Sequence, residues 1–238
     1  MLFDAATANT VARTVKRLYL DGIGPNEAKV SKIPPLIVDP VCVSTSGHSL
    51  LHQSALRVLV EELFPISSLV TPNKAEAELL LAAAEAIESG ADLQQEDDSI
   101  QRNKRQLNNL VDVVRAAQKL VEVAKASVLL KGGHLTVKPS HVRAFAHENP
   151  SIRVEWGETR EQNMEILRIG SLEDRDKREL VVDVLVEKNR REVTLFVRPR
   201  IDSKSTHGTG CTLSAAIASF VARGNERMAF LCYVIDVL

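Results

Sequence analysis

The sequence predicts an α/β protein, a doubly wound, mainly parallel sheet with helices on both faces. Three observations carry that reading. Amphipathic helical stretches alternate with short β-branched runs, the rhythm of βαβ units. Continuous apolar runs such as Val128-Leu129-Leu130 suit strands buried on both faces. Polar motifs fall just where those strands end, the edge at which open α/β sheets bind ligands.

The elements follow in order. Residues 4–18 read as a helix with Val11, Val15 and Leu18 on one face, and Pro34-Pro35 introduces the strand Leu36-Ile37-Val38. Residues 50–63 are helical again, followed by a strand at Ser68-Leu69-Val70. A helix opens near Asn73 and runs to Gly90, a natural carboxyl cap. Polar residues 91–106 read as a solvated insertion, after which helix 107–125 delivers the strand 128–130. Residues 138–179, irregular and densely charged at 173–179, read as a second surface insertion. Residues 180–186 and 193–197 then predict an antiparallel pair joined by the charged turn 187–191. A glycine-rich turn at 206–211 leads into a helix ending near Gly224, and a further apolar helix runs to Leu238.

Composition excludes several classes of function. The 238 residues are 45% hydrophobic, enough for a substantial core. Lys and Arg total 30 against 31 acidic residues, so no global basic field points to nucleic acid or an anionic membrane. Three dispersed cysteines, Cys42, Cys211 and Cys232, without a CxxC pair, argue against a disulfide framework and a zinc site, and the histidines form no ligand cluster. No apolar run approaches the roughly 20 residues of a membrane span, and the start lacks a signal-peptide pattern. A reducing, cytoplasmic setting is the expectation.

Four motifs sit at predicted strand ends: Asp39-Pro40-Val41, Thr71-Pro72-Asn73, Lys131-Gly132-Gly133-His134 and Gly208-Thr209-Gly210-Cys211. Glycines 208 and 210 permit a turn whose N–H groups aim at one anion at the positive end of the following helix. With Glu76 just inside the helix after Asn73, the motifs supply two carboxylates, an amide, an ammonium and an anion hole, a set suited to phosphoryl transfer from a magnesium nucleotide. Each has a plainer reading. Asn73 and Glu76 have capping-box spacing as well as the spacing to order a hydrated cation. Asp39 before proline is equally a turn former, and Lys131 equally a solvated loop lysine. Cys211 at a helix start is a candidate base, a small buried residue or a redox-sensitive thiol. A dinucleotide fingerprint is disfavoured because Leu213 stands where its third glycine would be, and no Walker A loop occurs.

Taken in order, Val38-Asp39-Pro40-Val41-Cys42-Val43 with Ser46-Gly47, the Val70-Thr71-Pro72-Asn73-Lys74-Ala75-Glu76 run, Leu129-Leu130-Lys131-Gly132-Gly133-His134 and the stretch from Arg200 through Thr206-His207-Gly208-Thr209-Gly210-Cys211-Thr212 closely resemble the hydroxymethylpyrimidine/phosphomethylpyrimidine kinases of the ribokinase-like superfamily. The resemblance implies that ATP and Mg2+ serve the phosphorylation of a hydroxymethyl pyrimidine and then of its monophosphate, in thiamine biosynthesis. It implies that Gly208, Thr209 and Gly210 form the anion hole, with Cys211 as the base. Lys131, Asp39 and Thr206 match phosphate-side positions, Asn73 and Glu76 the magnesium-ordering NxxE motif, and Met1, Val41 and Cys42 the pyrimidine pocket. The insertions resemble those of fungal versions, some fused to a thiaminase II-like domain.

The amino end departs from the family pattern. Met1-Leu2-Phe3-Asp4 resembles an interior segment, so the expectation is an incomplete kinase domain over 1–238, lacking its first strands and the glycine-rich loop. Weak pyrimidine binding or poor folding would follow from an uncovered sheet edge. Two other readings stand beside the leading one: a pyridoxal kinase-like enzyme, and a non-catalytic remnant that keeps nucleotide binding or a protein contact. The expected partners are a small pyrimidine and ATP, with no nucleic acid and no membrane, and homo-oligomerisation is left open.

Overall fold

Short strands and capped helices build the sheet. In the computed structural model, residues 4–21, 34–42, 50–90, 105–133, 135–156, 179–189, 192–200 and 208–223 are described. Helix α1 (Ala5–Asp21) starts where the Asp4 carboxylate accepts the Thr7 N–H at 2.8 Å, a bond that holds the Asp4 pKa below its ordinary value. Strand β1 (Ile37–Val38) follows, then α2 (Gln53–Val58). The helix expected over 50–63 changes its winding. It widens to a π-turn at Leu59–Leu63 and tightens to a 3-10 turn at Phe64–Ile66, where Pro65 has no N–H to donate.

Strand β2 (Leu69–Val70) leads into α3 (Lys74–Glu88), which ends with the Gly90 N–H on the Ile87 carbonyl. Helix α4 (Leu110–Ala124) is capped by Asn109, whose side chain accepts the Asp112 N–H at 2.9 Å, and it stops at Lys125 in the left-handed region, φ 52°. Strand β3 (Ser127–Leu130) is buried throughout, as its apolar run requires.

The first part of the stretch read as an irregular insertion is ordered structure. Residues 136–156 form β4 (Thr136–Val137), α5 (Pro139–Glu148) and β5 (Ile152–Trp156). Pro139 suits the first turn of a helix, where its missing N–H costs nothing. Ile152-Arg153-Val154-Glu155-Trp156 alternates as a strand does, with its two charged residues between apolar ones. The reading missed β5 because its five parallel partners, Val193 to Val197, lie far along the chain. Residues 157–178 of that stretch, 91–104 of the first insertion, and the apolar helix expected at the carboxyl end all lie outside the described residues.

Strands β6 (Leu180–Val186) and β7 (Val193–Pro199) form the expected antiparallel pair, and α6 (Thr209–Ala222) follows the glycine turn. Among the described residues the sheet runs β1-β2-β3-β6-β7-β5, with β4 paired to β6. β1, β2 and β3 are parallel, and β6 enters antiparallel to β3. Helices α1 to α5 contribute to one large apolar cluster. On the other face α6 sets Leu213 and Ile217 against Leu69, Leu129, Leu185 and Phe196, so the sheet is covered on both sides as expected. Among the described residues no helix is long and apolar enough to cross a membrane.

Candidate active site

Parallel pairing of β1, β2 and β3 brings their carboxyl ends to one edge, so residues distant in sequence become neighbours. A bridge from Asn73 to Lys131, with the Lys131 N–H on the Pro72 carbonyl at 2.8 Å, extends the β2–β3 pairing beyond the strands. The Lys131 ammonium then reaches across β2 and donates to Asp39 Oδ1 at 2.8 Å, each side chain only 13% exposed. Thr71 Oγ1 donates to the same carboxylate oxygen at 3.2 Å and lies 2.9 Å from Ser214 Oγ of α6. Ser214 in turn donates to the Gly210 carbonyl at 2.9 Å. Each hydroxyl has a single proton, so the Thr71–Ser214 contact is a hydrogen bond only when one of the two turns from its other acceptor; these alternatives link the strand ends to the first turns of α6.

That turn has the shape the motif predicted. Gly208 caps α6 in the left-handed region, φ 81°, which an L side chain resists. Thr212 N–H bonds the Gly208 carbonyl at 2.9 Å, so the amides ahead of it point out of the helix end, where the dipole favours an anion. Gly210 lies so close to Lys131 that a Cβ there would sit 2.8 Å from the ammonium nitrogen and 4.0 Å from Asp39 Oδ2. Ammonium, carboxylate and helix amides therefore converge on one small volume. Cys211 occupies the same turn and is exposed.

Asn73 and Glu76 make the capping box that their spacing allowed. The Asn73 side chain accepts the Glu76 N–H at 2.9 Å, and Glu76 Oε2 accepts the Asn73 N–H at 2.7 Å. Glu76 is only 2% exposed, and burial pushes its pKa up to about 7, against the Asn73 N–H and the positive charge of Lys131, which favour the carboxylate; Asp39 adds to the upward push. A backbone hydrogen bond from Cys42 also reaches this carboxylate. Cys42 itself is fully buried in the large apolar cluster, while Val41 closes a tight turn on the Asp39 carbonyl at 2.9 Å. Met1, Thr206, His134 and His207 lie outside the described residues.

Asp39 Oδ2 is buried without a hydrogen-bond partner among the described residues. An orphaned carboxylate oxygen costs free energy unless something charged or protic meets it. No group of three or more His, Cys, Asp or Glu able to hold a metal occurs among the described residues. A cation held largely by phosphates and water needs only one or two protein carboxylates, and the unpartnered Asp39 Oδ2 is an oxygen of that kind.

The sequence reading gave no role to Ser214, Asp183 or Arg198. Asp183 is fully buried in β6; its Oδ1 accepts the Gly132 N–H at 2.8 Å and its Oδ2 the Arg198 guanidinium at 2.9 Å. The available signal was a single acid inside the otherwise apolar run Leu180-Val181-Val182-Asp183-Val184-Leu185-Val186.

The phosphomethylpyrimidine kinase family model matches residues 1–106 and 161–229. The chain belongs to the phosphomethylpyrimidine kinase family. Its relatives include a Schizosaccharomyces pombe protein named as a second hydroxymethylpyrimidine/phosphomethylpyrimidine kinase, 35% identical over 195 residues, covering 82% of this chain and 27% of that protein. Among solved structures, the ADP complex of Bacillus subtilis pyridoxal kinase is similar with a TM-score of 0.56 at 22% identity, covering 98% of this chain and 59% of the other. Clostridium difficile phosphomethylpyrimidine kinase gives 0.54 at 21% identity, with 98% and 63% covered. These structures share the ribokinase-like fold. The chain spans about a quarter of the fission-yeast relative's length and under two thirds of either solved structure.

Proposed function

We propose that this chain carries the phosphoryl-transfer machinery of a hydroxymethylpyrimidine/phosphomethylpyrimidine kinase, moving the terminal phosphoryl group of ATP to a pyrimidine hydroxymethyl group and then to the resulting monophosphate. The observation that carries the reading is the approach of Gly210 to the Lys131–Asp39 pair beneath the amino end of α6. Helix amides and an ammonium aimed at one point stabilise charge on a transferring phosphoryl group. Family membership supplies the substrate class. The named ADP complex of a fold neighbour supports a nucleotide as the donor.

In this reading the amides of Gly208, Thr209 and Gly210 receive the phosphoryl oxygens and Lys131 offsets their charge. Cys211 takes the proton of the hydroxymethyl group as its oxygen attacks the terminal phosphorus and the bond to the bridging oxygen of ADP breaks. Asp39, Asn73 and Glu76 are the residues that would hold magnesium, through waters; the ion would neutralise charge on the nucleotide phosphates. Val41 and Cys42, with Met1, are assigned to the pyrimidine side and Thr206 to the phosphate side. The absence of a membrane-crossing helix among the described residues is compatible with the cytoplasmic setting we assign.

The test is ADP release by the purified chain with MgATP and either hydroxymethylpyrimidine or pyridoxal. Pyrimidine-dependent ADP formation is expected. Preference for pyridoxal would move the chain to the pyridoxal kinase reading. Nucleotide-dependent thermal stabilisation without transfer to either acceptor would leave only a nucleotide-binding remnant.

A further inference from the structure

Gly132 is the residue through which the phosphate-side lysine is tied to the antiparallel half of the sheet. A Cβ at this position would lie 1.9 Å from the Val182 carbonyl oxygen, a backbone atom that cannot step aside, so the chain after Lys131 is pressed directly onto β6. Its N–H meets the Asp183 carboxylate at 2.8 Å. Asp183 shares the Leu185 face of β6 by strand alternation, and Leu185 packs in the layer under α6. A carboxylate with no exposed surface in a seven-residue apolar strand is costly unless its oxygens are met. Both oxygens are met, one by Gly132 and the other by Arg198 of β7.

The Lys131 peptide is thus held from two sides. Its own N–H is bonded to Pro72, and the N–H of the next residue is bonded to Asp183. Only the side chain is left to vary, and it ends on Asp39. We infer that Asp183, supported by Arg198, is a positioning residue that sets Lys131 for phosphate contact by anchoring the Gly132 amide. The inference deepens the kinase reading and rests on it for its catalytic meaning, but the anchoring itself has a readout independent of turnover.

Two double variants separate the hydrogen bond from the charge. D183L/R198M replaces the ion pair with apolar side chains, which folds preserve well, and removes the acceptor for Gly132. D183N/R198Q keeps an oxygen for the Gly132 amide and lets the new amide side chains pair without charge. The experiment labels the folded proteins with limiting acetic anhydride and follows acetylation of Lys131 by mass spectrometry, with other lysines as internal references. Loss of a hydrogen bond to a charged acceptor should speed Lys131 acetylation about tenfold in D183L/R198M, while D183N/R198Q should label at the wild-type rate. In the ADP-release assay the apolar variant should lose kcat by about tenfold or more with KM for ATP within about twofold, because misplacement is felt mainly in the transition state.

Equal labelling of Lys131 in wild type and D183L/R198M overturns the inference, as does fast labelling in D183N/R198Q. If wild type transfers no phosphoryl group to any acceptor, the kinase reading fails, and the labelling contrast still decides whether Asp183 positions Lys131.

Discussion

Lys131 and Asp39, 92 positions apart in sequence, form a 2.8 Å ion pair that is nearly closed to solvent and has the first turn of α6 packed against it. Each is the other's compensation for burial. Replacing Asp39 with alanine would leave an ammonium in that pocket without its partner, a change that costs about 3 kcal/mol in comparable buried pairs. Urea unfolding of D39A should show a loss of that order, and D39A/K131M should recover most of it.

Glu76 gives the chain a pH-dependent stability of definite sign. Its pKa is about 7 in the folded protein against an ordinary 4.5, so the folded state holds the proton more tightly. Below about pH 4.5 the group is protonated in both states and has no effect. As pH rises from 4.5 to 7 the unfolded chain releases the proton first and folding is disfavoured, by roughly 3 kcal/mol at the upper end. Glu76→Gln keeps an acceptor for the Asn73 N–H and removes the titration. The stability difference between E76Q and wild type should therefore grow in favour of E76Q from pH 4.5 to 7, measured by urea midpoints at each pH. In the kinase assay E76Q should also raise the magnesium requirement; an unchanged requirement would leave Glu76 only its capping role.

Gly210 is limited by what it faces rather than by its backbone. An added methyl would meet the end of the Lys131 side chain, which can move, so Gly210→Ala should leave the melting temperature within a few degrees of wild type. The displaced ammonium no longer lies beneath the turn. Turnover should fall by roughly 10²-fold, as expected when a positioned charge is lost from an anion-stabilising site.

Cys211 is exposed on that turn and is the proposed base. Cys211→Ala should reduce kcat by about 10²-fold or more while nucleotide affinity, measured by titration calorimetry, stays within about twofold. Retained turnover would transfer the proton-accepting role to another group.

Much of the fold was legible because its signals are local. The 3.6-residue periodicity of α3 and α4, the Asn73–Glu76 cap and the apolar run of β3 each depend on residues within a turn or two of one another. The motifs at the ends of β1, β2 and β3 were equally readable, since parallel strands joined by helices must present their carboxyl ends together. Strand β5 was not, because an edge strand half open to solvent carries charged residues that look like loop, and its pairing with β7 comes from far along the chain.

By itself, then, the sequence determined the order of elements apart from β4, α5 and β5, the Asn73–Glu76 cap and the four strand-end motifs, all consequences of neighbouring residues and backbone sterics. Only the tertiary structure decided which of those polar groups meet. Thr71 and Ser214 lie 143 positions apart, and Gly132 and Asp183 lie 51 apart. Their contacts exist because two faces of one sheet are covered, and a polar group caught beneath that cover must find a partner where the packing has put one.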